Sequence, residues 1–231
     1  MNEIKRLIPI PSAAATREAL LNAAEEILGE RGVEGTSIRD IIKAAGTNLG
    51  AVNYHFGSKD RLVMEVFMRR MRPVDQERIA RLDAVEKSAG KGPLALAEVM
   101  DAFIRPLIEA QRGGSRHAII LKLIGRGFQE VDPEVRALVH QELAILTKRF
   151  DAAFLRAVPG LPPEELPWRI MFFIGAMHFG IDLWTTFDQR PASNPQIQPK
   201  KLNPEELIQR LVAFVTAGMA ASVPKTKGKK K

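Results

Sequence analysis

From Thr36 to Lys59 the sequence carries donor groups, and at Lys59 a cation, that suit a polyanion. The Thr36 and Thr47 hydroxyls stand where helices are expected to begin, beside N–H groups that favour a phosphate. Tyr54 and His55 carry hydrogen-bond donors for phosphate oxygens, and the Tyr54 ring suits a sugar face. Lys59 offers a positive charge for one phosphate. Leu49, Gly50, Ala51 and Asn53 fall where base edges would be read, and Asn48 beside them is a further candidate for contact with the polyanion. Leu49 or Ala51 suits a thymine methyl. Asn53 suits a two-bond pair with adenine, worth about 1–3 kcal/mol of discrimination.

Other chemistry is poorly supplied. The four histidines, at positions 55, 117, 140 and 178, have no metal-ligand spacing. There is no cysteine, which excludes disulfides and thiolate chemistry and fits a reducing cytosol. Ser115 lacks the context of an activated nucleophile. Gly125-Arg126-Gly127 lies in helical pattern with no strand before it. The sequence predicts no catalytic residue, no metal and no cofactor. Pro9 and Pro11 break the N-terminal apolar stretch, so no signal peptide is expected. No apolar run reaches the length of a membrane span.

The net charge of +7 on 231 residues is misleading as a guide. Lys225, Lys227, Lys229, Lys230 and Lys231 supply five of those charges. Residues 1–60 hold seven Lys/Arg against eight Asp/Glu, so pattern rather than charge marks that region.

Apolar residues recur at helical spacing almost throughout, which predicts an all-α fold of about nine helices. The first spans 16–31, with Thr16 as cap and Gly32 as stop. A second begins at Thr36 or Ser37, where Ser37 and Asp40 form a capping box, and ends at Gly46. A third, capped by Thr47 or Asn48, runs to Phe56. Ser58 caps a long fourth that Pro73 bends or interrupts. Five more are expected near 93–112, 116–129, 133–157, 164–187 and 204–221, with Pro106 kinking the first of these. Two short amphipathic helices around a tight glycine turn, braced by a longer one, describe a helix-turn-helix. The expected divisions are 12–60, which holds the helix-turn-helix, 61–222, which holds the remaining helices, and a basic tail at 223–231; the family resemblance described next implies DNA binding for the first and regulation and dimerisation for the second.

The stretch Gly46-Thr-Asn-Leu-Gly-Ala-Val-Asn-Tyr-His-Phe-Gly-Ser-Lys-Asp-Arg-Leu62 resembles the signature of the TetR family, most distinctively at Tyr54-His55-Phe56, Ser58-Lys59 and Leu62. Residues from Ala19 through Gly35-Thr36-Ser37-Ile38 resemble that family's first helix and connection. The resemblance implies a bacterial, cytoplasmic, nucleoid-associated repressor without enzymatic activity. It would bind double-stranded DNA at a pseudo-palindromic operator and respond to a small molecule. It also implies a homodimer through 164–187 and 204–221. Independently, the broad apolar faces of those two segments require cover.

More loosely, Leu121–Gly125 with Phe128, Leu161–Pro163 through Trp168-Arg169, and Val215–Met219 resemble the fatty-acid-responsive PsrA-like branch. That implies a small hydrophobic effector such as a fatty acid or acyl-CoA. Expected lining residues are Phe103, Leu107, Ile124, Phe128, Phe172, Met177 and Phe179. For a carboxylate head the candidates are Arg105, His117, Arg126 and His178. A different reading, a nucleoid or membrane-surface binder using the lysine tail, stays open at this level.

Overall fold

The computed structural model describes residues 12–111, 133–189 and 200–223, and every regular element among them is a helix. These are α1 (Ala13–Arg31), α2 (Ile38–Ala44), α3 (Leu49–His55), α4 (Lys59–Ala89), α5 (Leu96–Ala110), α6 (Pro133–Ala157), α7 (Leu166–Thr185) and α8 (Pro204–Ala220). The expected helix at 116–129 lies outside the described residues. So does the tail beyond Val223. The chain divides into two compact units, one through Arg69 and one from Arg70.

In the first unit, α1 starts at Ala13 rather than at position 16. The Ser12 hydroxyl accepts from the Ala15 N–H at 3.2 Å, so Ser12, not Thr16, is the cap. Leu20, Leu21, Ala24, Ile27 and Leu28 turn inward against α2 and α3. Burying each large apolar side chain contributes about 1.5–3 kcal/mol.

In the second unit, α5 packs on α8 and α6, and α7 packs on α8. Phe103, Phe150, Phe154 and Phe173 meet at edge-to-face or tilted angles, with centroids 4.9–6.1 Å apart. Such pairs add to simple area burial. The buried Arg169 guanidinium, near the start of α7, donates to the Met219 carbonyl near the end of α8. Trp184 Nε1, near the end of α7, donates to the Leu202 carbonyl at 2.7 Å. These two bonds pin α7 and α8 antiparallel.

Pro73 does not interrupt α4, and Pro106 stands inside a continuous α5. Each proline forfeits one ladder bond. Val74 beside Pro73 is buried, as are Pro106 and Leu107 in α5, and this packing holds the helices through the defects.

Candidate nucleic-acid interface and regulatory unit

The turn into α2 is fixed by a reciprocal cap. Asp40 N–H donates to Ser37 Oγ at 3.2 Å, and the Ser37 hydroxyl and N–H both donate to the Asp40 carboxylate. Those bonds, the hydroxyl first, hold the Asp40 carboxyl below its usual range. Gly46 closes the helix with φ +63°, a conformation that suits glycine. Asn48 then caps α3, its Oδ1 accepting from the Ala51 N–H at 3.0 Å. Asn48 therefore keeps its NH2 donors and one lone pair of that oxygen for a partner. A methyl at Gly50 would come 3.1 Å from that same Oδ1, so glycine there protects the cap.

α3 sorts its residues cleanly. Val52 and Phe56 are buried, and the Arg17 guanidinium lies 5.3 Å over the Phe56 ring while pairing with Glu65 at 2.9 Å. Tyr54 is 80% exposed and Leu49 51%; Asn53, Asn48 and Gly50 are also exposed. The Tyr54 hydroxyl has no hydrogen bond among the described residues. His55 is half-buried and meets the Tyr54 ring edge-on at 4.9 Å. Ala51 and Thr47 are half-buried. Lys59 Nζ donates to the Val33 carbonyl at 3.2 Å, which ties the start of α4 to the α1–α2 turn.

One expected contact changes role. Thr36 is buried and its hydroxyl donates to the Gly32 carbonyl at 2.6 Å. It shapes the turn after α1 and has no free face for a phosphate. Two exposed cations on α2, Arg39 and Lys43, were missed. Their i, i+4 spacing opposite Ile38, Ile41 and Ile42 is a signal the sequence contained.

In the second unit, Leu107 and Met177 are fully buried, and Phe103 is half-buried against Phe150 and Phe173. Phe172 and Phe179 are corrected: they are 69% and 64% exposed, so they line no interior of this chain. Trp168, Met171 and Phe214 are exposed likewise. Phe128, Ile124, His117 and Arg126 lie outside the described residues. Arg105 is also corrected as a carboxylate receptor. It already pairs with Asp101 at 2.8 Å and Glu205 at 2.6 Å, and these bonds raise its pKa further.

A family model described as tetR-family bacterial regulatory proteins matches residues 20–66, the helix-turn-helix just built. A second, described as the tetracyclin repressor-like C-terminal domain, matches residues 101–218, over half of the chain. The chain belongs to the TetR family. The HTH-type transcriptional regulator UidR of Escherichia coli K12 is 25% identical over 138 residues, which cover 59% of this chain. The chain spans only 63% of the length of that relative. The fold matches FadR of Bacillus subtilis, solved with stearoyl-CoA, with TM-score 0.56 at 15% identity over 87% of this chain and 98% of that one. It also matches AibR, solved with isovaleryl coenzyme A and operator DNA, with TM-score 0.58 at 18% identity over 86% and 97%. A TetR-family fold thus accounts for both units. Among the described residues no helix is long and apolar enough to cross a membrane.

His178 gives a pH prediction. Burial, and then the Arg78 charge, push its pKa down to about 4 from 6.5. The unfolded chain takes up this proton first as pH falls, so stability drops from about pH 6.5 towards pH 4. At pH 5 the loss is about 2 kcal/mol. Asp75 acts in the opposite sense, because burial raises its pKa. Urea unfolding at pH 7 and pH 5 should show a clear loss for the parent and a smaller one for His178→Gln. An identical loss in both would remove His178 from the explanation.

Proposed function

We propose that the chain is a sequence-specific DNA-binding transcriptional repressor. It acts as a homodimer and leaves its operator when a small hydrophobic effector binds. The observation that carries this reading is the sorting of α3. Val52 and Phe56 anchor the helix inward, while Asn53, Tyr54 and Leu49 stand exposed on a braced helix-turn-helix. A helix of this kind enters the major groove with its early residues at base edges. Asn48, Leu49, Gly50, Ala51 and Asn53 then read bases. Thr47, Tyr54, His55 and Lys59 hold phosphates, with Arg39 and Lys43 added.

The dimer forms through α7 and α8. Trp168, Met171, Phe172, Phe179 and Phe214 give these helices an exposed apolar surface, which a second copy covers. Two reading helices about 34 Å apart fit a pseudo-palindromic operator. UidR is named a transcriptional regulator, AibR was solved with operator DNA, and FadR and AibR were solved with acyl-CoA ligands. These support repression relieved by an acyl effector. Such an effector shifts the DNA-competent population only by its differential affinity for the two states. The cytoplasm beside the nucleoid is the matching location.

Selection of bound duplexes from a random library tests the reading directly. A two-fold-related consensus is expected, and recovery of no consensus would defeat it. On that consensus, log affinity falls with log salt at about −0.9 per neutralised phosphate. Deleting residues 225–231 should leave the footprint in place. Loss of all binding on that deletion would favour the lysine tail as the binder instead.

A further inference from the structure

Arg17 on α1, Glu65 on α4 and Phe56 at the end of α3 meet at one guanidinium in the first unit. Arg17 Nη2 donates to Glu65 Oε2 at 2.9 Å, and the guanidinium stands 5.3 Å from the centre of the Phe56 ring. Phe56 closes α3: its N–H donates to the Val52 carbonyl at 2.8 Å, and its side chain is buried. From that ring an aromatic series runs outward, Phe56 to His55 at 6.2 Å and His55 to Tyr54 at 4.9 Å. Asn53, the candidate for adenine, lies about one helical turn before Phe56. A single side chain therefore links the bracing helix, the reading helix and α4.

The reading helix needs such a link. α3 has seven residues, and a helix that short stands only through its packing. Val52 and Phe56 bury its inner face, but apolar burial is non-directional and opposes a tilt only weakly. A cation over a ring face and a charge-assisted bond to a carboxylate are both directional. Glu65 fixes the guanidinium, and the guanidinium fixes the ring. Base contacts need placement to within about 0.5 Å, whereas phosphate contacts carry no sequence information. Arg69, one turn further along α4, provides a comparison. It donates to Asn22 at 2.8 Å and pairs with Glu18 at 3.6 Å. It fastens α1 to α4 with no hydrogen bond or ion pair to α3 among the described residues.

We infer that Arg17 is a positioning residue for base reading: held by Glu65, it sets the pose of α3 through the Phe56 ring and itself touches no DNA. This rests on the reading of the chain as a sequence-specific DNA binder.

The test uses the full chain, the consensus duplex selected from a random library and an unrelated duplex of equal length. Arg17→Met combined with Glu65→Gln removes the link and leaves the net charge unchanged. Loss of one ion pair and one cation–ring contact should weaken consensus binding roughly threefold to tenfold per reading head. For two heads that is about ten- to a hundredfold. Binding to the unrelated duplex should stay within about twofold, and the salt slope should not change. Arg17→Lys keeps a cation at the ring and should restore most of the discrimination. Arg69→Met should keep it in full. Glu65→Gln alone decides the matter if the double variant melts early: it should lower consensus binding while unrelated binding holds or rises, because one negative charge is gone. Discrimination that survives in the folded variants would overturn the inference, as would an equal loss on both duplexes. A salt slope smaller by about 0.9 per subunit would make Arg17 a phosphate contact instead. A matching loss in Arg69→Met would reduce the effect to general loosening of α1. A parent protein that selects no consensus sinks the repressor reading and this inference with it, whereas a parent that selects one and variants that keep it sink the inference alone.

Discussion

Phe172→Glu combined with Phe214→Glu yields a folded monomer whose operator affinity is at least about a hundredfold below that of the parent. Both rings are 69% exposed in the single chain, one on α7 and one on α8. Exposed substitutions usually change folding by no more than about 0.5 kcal/mol. Circular dichroism and the melting curve should therefore stay close to the parent's. In a dimer built on these helices, the same two changes place four carboxylates in an apolar interface. An uncompensated buried charge costs several kcal/mol, well above the apolar area that the rings contribute. Gly175 lies between Phe172 and Phe179 with open space where a side chain would stand, so a partner helix can approach there closely. A monomer presents one reading helix and loses the gain that comes from engaging two half-sites at once. Sedimentation equilibrium reads the mass and a duplex titration reads the affinity. A double variant that stays dimeric would remove α7 and α8 from the interface.

How far this architecture is legible in the sequence depends on which physics decides each residue. The helix-turn-helix is local: Ser37 caps with Asp40, Gly46 turns, Asn48 caps again, and each signal sits within four residues of its effect. The start of α1 is misread because Ser12 and Thr16 are both capping types, and the apolar stripe begins near the second. The fate of Pro73 is tertiary: one lost ladder bond is outweighed by the packing around it. Phe172 and Phe173 show the limit best. They are neighbours in an almost wholly apolar helix, about 100° apart around its axis. One is buried among Phe103 and Phe154, and the other stands in solvent. Periodicity cannot distinguish a face that meets its own core from one that meets a second chain. Arg78 is hidden by a different cause. It sits among Arg69, Arg70, Arg72 and Arg81 in a polar helix, where any single arginine reads as a solvent residue, and only the folded chain sets it over Phe103.

Tyr54→Ala and Asn53→Ala should damage operator binding in two different ways, and together they should cost the greater part of specific affinity. Both side chains are exposed, so neither change removes core packing; Val52 and Phe56 still hold α3 on its brace. Asn53 is the residue on this face whose free amide can donate to and accept from one base edge. The Asn48 amide is held in place by the bond that its oxygen accepts from the Ala51 N–H. Losing a two-bond base contact costs about 1–3 kcal/mol for the preferred base. A symmetric dimer loses it twice, or roughly 2–6 kcal/mol for the operator, provided the half-sites contribute additively. The loss is selective, so the Asn53→Ala consensus should degenerate at one position in each half-site and stay intact elsewhere. Tyr54 carries no charge and contacts backbone in the proposed arrangement. Its removal should lower affinity for cognate and unrelated duplexes by a similar factor and leave the salt slope unchanged. Selection with each variant, followed by titrations at two salt concentrations, separates the two behaviours. An unchanged consensus from Asn53→Ala would place base reading elsewhere on α3, at Leu49 or Ala51. A sequence-selective defect from Tyr54→Ala would exchange the roles assigned to these neighbours.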